Sequence, residues 1–279
     1  MANYCDVLIT TDYDRTLTAP DSTIPQRNLE AIRFFMDNGG AFTVNTGRTI
    51  PTSGKLMAGV PANAPFLLYN GSAAYDPDSG KFLFAHQIQL DWREVRRKIL
   101  DRFPNVWFEF QGEKAHYLLR KHAMWEAFCE YNHCPWAYAE VQDDLGPFLK
   151  FCVYGSISDV TVDHLFHGTA EEIALMDEVE MWLKEEFGEF CVVVRGADLY
   201  VDVQPNGVSK GRSAVELKES LGKKLLICIG DAENDVSMLD AADHAFCPSD
   251  GILKDRYPNV CACGEGAVAD VIYNCIPNL

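Results

Sequence analysis

Leu8-Ile9-Thr10-Thr11-Asp12-Tyr13-Asp14-Arg15-Thr16-Leu17 is the stretch whose reading decides the fold. An apolar run leads straight into two carboxylates one residue apart. In a strand, alternate side chains project to the same side, so Asp12 and Asp14 are expected roughly 6–7 Å apart, with Tyr13 facing away. Two acids facing one space repel each other unless a cation or a shared proton relieves them. A hard divalent metal, which takes oxygen ligands, suits the pair. So does a division of labour between a nucleophile and a proton carrier. An acidic turn after an edge strand is the competing reading, and the rest of the chain has to choose.

Outward from this stretch the pattern is strand, helix, strand. Residues 6–11 read as a buried strand. Pro25 suits a helix first turn, Leu29, Ile32 and Phe35/Met36 keep helical spacing, and Gly39-Gly40 closes the helix. Ala41–Asn45 and residues 65–69 read as further strands, followed by Thr46-Gly47-Arg48 and Asn70-Gly71. Ligands at the carboxyl ends of such strands belong to the doubly wound α/β plan. After Gly71 the pattern changes to a hairpin, a charged helix over 91–102, strands at Val106–Phe110 and His116–Arg120, a helix over 122–132 and a strand over 148–154. An amphipathic acidic helix over 169–187 follows, with Leu175, Val179, Trp182/Leu183 and Phe187 on one stripe. A hairpin then turns around Arg195-Gly196-Ala197-Asp198. From Gln204 the first pattern resumes, with a helix from Ser209 to Leu221, an apolar strand Lys224–Ile229, a helix near Glu233/Asn234, short strands at His244–Cys247 and Asn259–Ala262, and a closing helix from Glu265 to Ile276. The expected fold class is α/β, a Rossmann-like doubly wound parallel-sheet core with an inserted α+β domain. The core is expected over residues 1–86 and 204–279, and the insert over 87–203.

A chain of 279 residues with 48% hydrophobic content can bury a sizeable core. Its net charge of −17, from 24 basic and 41 acidic side chains, argues against nucleic acid and membranes as partners. An anionic substrate would need local cations, which a metal and one or two basic residues could supply. Ten cysteines without a Cys-x-x-Cys pair fit a reducing cytoplasm better than a disulfide framework. The N-terminal residues lack the basic and apolar regions of a signal peptide, and no run is long enough to span a bilayer.

Four signals line up, each at or beside the carboxyl end of a candidate strand: Asp12-Tyr13-Asp14-Arg15-Thr16, Asn45-Thr46-Gly47-Arg48, Ser209-Lys210-Gly211 and Gly230-Asp231-Ala232-Glu233-Asn234-Asp235. In that order they resemble the four motifs of the haloacid dehalogenase-like hydrolases. The resemblance covers the whole chain, and the insert looks like the subclass IIB cap of the Cof-type sugar phosphatases. Asn70-Gly71 and the segment Pro205–Gly211 also look like that group. Carried over, the resemblance implies that Asp12 attacks phosphorus and forms an aspartyl-phosphate. Asp14 would protonate the leaving group and deprotonate water. Thr46 and Lys210 would serve the phosphoryl group, and Gly47, Arg48, Asn70 and Asn234 would help bind substrate. Asp231 would complete a Mg²⁺ site with Asp12 and the Asp14 main-chain carbonyl, and Asp235 would act behind it or through water. Taken singly, Thr46 also reads as a helix cap, Lys210 as a solvated lysine, Asp231 and Asp235 as a cap and a surface acid, and Arg48 and Asn234 as loop braces. The family usually has Gly where this chain has Arg15.

The resemblance implies a Mg²⁺-dependent phosphatase acting on a small phosphorylated metabolite, expected to be a sugar phosphate, by a monomer or homodimer. A phosphomutase is the alternative, and a non-catalytic sugar- or metal-binding protein on the same fold is a further one. Outside the four motifs, Cys129-x₃-His133-Cys134, Cys261-x-Cys263 and His164-x₂-His167 are candidate metal sets, each with a bland reading as core thiols or surface histidines. The insert's aromatic residues Trp92, Trp107, Phe108, Phe110, Trp125, Trp136 and Tyr138 are expected mostly in its core, with one or two free to stack on a sugar. Residues near Arg195–Asp198 are candidates for specificity contacts.

Overall fold

The computed structural model describes residues 3–140, 143–145, 148–155 and 163–278. Met1, Ala2 and Leu279, which fall in the expected core, lie outside them. The chain divides into two compact units, one of Met1–Gly47, Lys55–Ala85 and Ser209–Leu279, the other of Arg48–Gly54 and His86–Val208.

The first unit opens with β1 (Val7–Thr11), every residue of which is buried. α1 (Gln26–Asp37) starts after Pro25 and buries Asn28, Ala31, Ile32 and Phe35 on one face. β2 (Ala41–Val44) follows, then the short α2 (Gly54–Gly59), and an antiparallel meander of β3 (Phe66–Leu68), β4 (Ala73–Asp76) and β5 (Lys81–Ala85).

The second unit holds α3 (Trp92–Arg102), β6 (Trp107–Gly112), β7 (His116–Leu118), α4 (Ala123–Tyr131), β8 (Trp136–Tyr138), β9 (Phe148–Tyr154), α5 (Ala170–Phe187), β10 (Cys191–Ala197) and β11 (Tyr200–Pro205). Its sheet order is β10-β11-β9-β6-β7-β8, antiparallel except for the β7–β8 pair. Strand alternation splits the sheet into two faces. Phe108, Phe110, Phe151, Val153, Val201 and Val203 share one cluster with Ile99 of α3 and Val179 and Leu183 of α5. Truncating one of these buried phenylalanines to alanine should cost about 3–5 kcal/mol. The opposite face carries Glu109, Gln111, Lys150, Asp202 and Gln204, all buried. Lys150 Nζ lies 3.1 Å from Asp202 Oδ1, and Cys152 Sγ donates to the same oxygen.

The chain then returns to the first unit with α6 (Lys210–Ser220), β12 (Leu225–Ile229), α7 (Val236–Ala241), β13 (His244–Pro248), β14 (Asn259–Val260) and α8 (Ala267–Asp270). The five-stranded sheet has the order β14-β13-β12-β1-β2 and is parallel throughout. β1 is paired on both edges, which is why it reads as an unbroken buried run.

Four sequence expectations change. The closing helix is regular only over α8, and Val271–Cys275 form a wider turn before Ile276–Asn278 tighten. Pro277 has no N–H and its ring crowds the carbonyl four residues back, so a regular helix cannot pass through it. The second-unit hairpin turns at Asp198-Leu199, because β10 runs through Arg195–Ala197 with an irregular register there. Asp12 and Asp14 do not share a strand end, since the chain leaves β1 into a tight turn over Tyr13–Leu17. Along α5 the buried stripe is Met176, Val179, Leu183 and Phe187, while Leu175 and Trp182 are only partly covered. Among the described residues no helix is long and apolar enough to cross a membrane.

Candidate active site

Three strands of the first unit end at one level. Thr11 is in register with Ile229 of β12 and Val44 of β2. One step beyond, the Asp12 N–H donates to the Ile229 carbonyl at 2.8 Å and the Asn45 N–H to the Thr11 carbonyl at 2.8 Å. Asp12, Asn45-Thr46 and Gly230-Asp231 therefore emerge side by side, as expected for ligands in a parallel sheet.

Lys210, at the start of α6, is 1% exposed and enters this space. Its Nζ lies 2.6 Å from Asp12 Oδ1 and 2.7 Å from Asp235 Oδ1. The other oxygen of Asp235 accepts the N–H groups of Asp231 and Ala232 at 3.0 and 3.2 Å. Asp235 is thus a brace, tying Lys210 to the loop that carries Asp231. Asp231 Oδ1 accepts the Thr16 hydroxyl at 2.8 Å. Asn45 and Ser213 both donate to the Lys210 carbonyl, at 2.8 and 3.0 Å, and fix the helix start. Gly211 is required there, because a Cβ would lie 2.0 Å from the Ser237 carbonyl oxygen.

One carboxylate oxygen from each of Asp12, Asp231 and Asp235 lies within 4.8 Å of the others, and all three residues are buried. Burial, and after it the neighbouring acids against the opposing pull of Lys210, pushes the Asp12 carboxyl well above its ordinary range. Burial likewise raises Asp231 to about 6, although the Thr16 hydroxyl and the charges of Lys210 and Arg15 pull it down. Burial opposes the charge on Lys210, but the two acids it bridges raise its pKa above the ordinary lysine value. One ammonium facing three carboxylates leaves negative charge uncompensated. A small divalent cation that takes oxygen ligands fits this donor set.

A second group forms beside the first. Thr46 is buried, its N–H donates to Leu67 at 2.9 Å, and its carbonyl accepts from Asn70 at 3.1 Å. A Cβ on Gly47 would lie 2.7 Å from Asn70 Oδ1, so glycine lets the two loops close. Asn70 sits at a left-handed φ of 55°. The structure therefore gathers Asp12, Asp231, Asp235 and Lys210 in one cluster and Thr46, Gly47 and Asn70 in another. Asp14 and Asn234 are exposed, and the Asp14 carboxylate is not one of the three clustered acids. Arg48 belongs with the second unit. Arg15 has a φ of 62°, so the backbone takes the glycine-like conformation although the residue is not glycine. Its charge also acts on Asp231.

Sequence reasoning gave no role to Thr16, Asn45 or Ser213. Thr16 and Asn45 were inside the quoted motifs, but a hydroxyl or amide carries no charge signal. Of the other candidate sets, His164 Nε2 lies 3.1 Å from Glu172 Oε1, a local pair at the start of α5. Cys263 Sγ lies 3.2 Å from Asp250 Oδ2. Arg195 is spent locally: its guanidinium donates to the Ala197 and Asp198 carbonyls and pairs with Asp177 and Glu180 of α5. It stitches the hairpin to α5, which accounts for it without a specificity contact. Most of the insert's aromatics are core, as expected, whereas Tyr138 is exposed and bonds Glu126.

Residues 9–252 match the profile of a haloacid dehalogenase-like hydrolase family. The chain belongs to that family. It is 26% identical over 274 residues to the 5-amino-6-(5-phospho-D-ribitylamino)uracil phosphatase YwtE of Bacillus subtilis, covering 89% of this chain and 90% of the relative. It is 24% identical over 246 residues to the HMP-PP phosphatase of Escherichia coli O157:H7, covering 84% and 81%. Among solved structures it superposes on the subclass IIB sugar phosphatase BT4131 with a TM-score of 0.71 at 18% identity, covering 95% of this chain and 97% of that one. The fold of this haloacid dehalogenase-like hydrolase is that of subclass IIB, and the chain is an enzyme, a phosphoric monoester hydrolase.

Proposed function

We propose that the chain is a Mg²⁺-dependent phosphatase that hydrolyses a small phosphorylated polyol or sugar through an aspartyl-phosphate on Asp12. The observation that carries this reading is the cluster of Asp12, Asp231 and Asp235, two of them paired with Lys210, at the carboxyl ends of β1 and β12. Asp12 and Asp231 would hold Mg²⁺, with the Asp14 carbonyl, and Asp235 would hold Asp231 and Lys210 in place. Bound Mg²⁺ would neutralise charge on the phosphoryl oxygens.

An Asp12 oxygen attacks phosphorus and the ester P–O bond breaks. Asp14 gives its proton to the departing alkoxide, then takes one from the water that attacks the acyl phosphate, releasing inorganic phosphate and restoring Asp12. A group that must exchange protons twice per turnover benefits from contact with solvent, and Asp14 is exposed. Lys210 offsets charge on Asp12 and the phosphoryl group, and Thr46, positioned by Leu67 and Asn70, donates its hydroxyl to a phosphoryl oxygen. The substrate class rests on the relatives, whose names include a phosphorylated ribityl chain and a sugar phosphatase. Ten free thiols support a reducing cytoplasm as its location.

The test is phosphate release from a panel of phosphate esters with Mg²⁺, with chelator, and with Asp12→Asn. The expected result is release that needs Mg²⁺ and falls by about 10⁴-fold or more in the variant. Transfer between positions of a sugar without free phosphate would replace hydrolysis by a mutase. Undiminished release from Asp12→Asn would remove the nucleophile assignment.

A further inference from the structure

The sequence grouped Cys129, His133 and Cys134 as a soft-metal candidate, and the second unit assembles a different set. His133 is exposed and turns the chain at a φ of 53°. The turn brings Cys134 back under the end of α4, where its N–H donates to the Cys129 carbonyl at 2.8 Å. The histidine that meets the two thiols is His116 of β7. One ligand atom from each of His116, Cys129 and Cys134 lies within 4.8 Å of the others, and all three residues are buried.

A fourth group stands beside His116. Gln111 of β6 is in register with His116, so Glu109, two residues away, shares that face of the sheet. Glu109 Oε1 accepts from Gln111 at 2.7 Å and from the Tyr154 hydroxyl at 3.1 Å. Glu109 Oε2 faces His116 Nδ1 at 3.2 Å, yet both atoms are buried with no hydrogen bond. The far nitrogen of His116 is held by the Thr49 hydroxyl at 2.8 Å. Two thiols and an imidazole nitrogen are thus gathered in one buried place, with a carboxylate oxygen 3.2 Å from the imidazole nitrogen.

We propose that the second unit carries a structural Zn²⁺ site formed by His116 Nδ1, the thiolates of Cys129 and Cys134, and Glu109 Oε2. Zinc bonds of about 2.1 Å to nitrogen and oxygen give a tetrahedral edge of about 3.4 Å, close to the 3.2 Å between Nδ1 and Oε2. The donor mixture suits zinc rather than Mg²⁺ or Ca²⁺, which take oxygen. Four protein ligands close the site, the arrangement of structural rather than catalytic zinc. Thr49 behind the imidazole, and Gln111 and Tyr154 behind the carboxylate, are the supporting contacts that orient metal ligands. The bland alternative is a buried His116–Glu109 ion pair beside two thiols. In that arrangement the two facing atoms stay misaligned for a hydrogen bond, which a buried pair selected for its own sake would make. Burial opposes charge on His116, but Glu109 holds its pKa up at about 9.

The test uses the full-length reduced protein, stripped of metal and titrated with Co²⁺ as a zinc surrogate. The expected result is a near-ultraviolet thiolate-to-cobalt charge-transfer band that saturates at one equivalent and is bleached by Zn²⁺. The acidic cluster of the first unit has no thiolate and cannot produce this band. Glu109→Gln is expected to keep the band and weaken affinity about tenfold or more. The Cys129→Ser/Cys134→Ser double variant is expected to lose it. Should that variant not fold, the wild-type protein answers alone, because the band, its one-equivalent saturation and its bleaching by Zn²⁺ are all read on it. No charge-transfer band in the reduced wild type, or a band that survives loss of both thiols, overturns the site.

Discussion

Lys210→Met is the perturbation on which the first unit's electrostatics can be judged. The ammonium lies 2.6 Å from Asp12 and 2.7 Å from Asp235, and all three side chains are at most 10% exposed. Methionine keeps the packing and deletes the charge, leaving two buried carboxylates without their shared partner. Removing one member of a buried ion pair costs about 3–5 kcal/mol. Protonation sets a ceiling on the cost. At pH 7 an ordinary aspartate is roughly three pH units above its pKa, and at about 1.36 kcal/mol per unit one carboxyl can be neutralised for about 4 kcal/mol. The expected loss is therefore about 3–4 kcal/mol at pH 7 in chelator. The sign follows from linkage. A carboxyl whose pKa is raised by folding binds its proton more tightly in the folded state, so the penalty shrinks as pH falls. Two pH units lower it should be about 1–2 kcal/mol. Hydrogen exchange of the β1 and β12 amides in chelator, corrected for intrinsic rates, reads the opening free energy of this unit without assuming that both units unfold together. A loss under about 1 kcal/mol at pH 7, or one that is unchanged at pH 5, would refute the reasoning.

Other perturbations probe neighbouring links. Asp231, at about 6 against an ordinary 3.8, should cost the metal-free unit about 3 kcal/mol once pH has risen past the folded value, and nothing below the unfolded one. Mg²⁺ binds the carboxylate form, so its thermal stabilisation should be larger at pH 7 than at pH 5, and the reverse order would contradict the assignment. Gly211→Ala puts a Cβ 2.0 Å from the Ser237 carbonyl oxygen, and should cost about 3 kcal/mol in a melt as α6 is pushed from α7. Thr16→Val leaves one buried Asp231 oxygen without its donor, and should cost about 1–3 kcal/mol at pH 7 and less in acid. Arg15→Gly relieves a left-handed residue worth about 1–2 kcal/mol, offset by about 0.5–1 kcal/mol of chain entropy. It should melt at the same temperature or slightly higher, and a clear drop would mean that the side chain holds the turn.

Much of this architecture was legible because its signals are local or strictly periodic. β1 and β12 are short apolar runs that end in acids, and α1 has a helical stripe between a proline and two glycines. Burial on both sides of a parallel sheet demands such runs. The failures lie where backbone geometry, rather than polarity, decides. Asp12-x-Asp14 reads as a strand end by alternation, but the chain turns immediately after Asp12 through a left-handed Arg15. No periodicity reports a positive φ at an arginine. β8 was missed for another reason: three residues carry too little pattern, and its parallel pairing with β7 arises only after folding.

The same distinction separates the two clusters of donor side chains. In the first unit, the acids and Lys210 belong to motifs that each end or begin an element, so chain order already implied their meeting. What order could not imply was the wiring: that Asp235 would tie the Asp231 loop to Lys210, or that Asn45 and Ser213 would hold the Lys210 carbonyl. In the second unit, proximity in sequence pointed the wrong way. His133 is next to Cys134 and faces solvent, while His116, far earlier in the chain, reaches both thiols because β7 lies between β6 and β8. A residue beside a ligand in sequence is often the turn that presents it. Here the left-handed His133 provides the bend, and strand register supplies the histidine. Strand register couples residues that sequence spacing cannot, and so a buried mixed set of nitrogen, sulfur and oxygen donors becomes visible only in three dimensions.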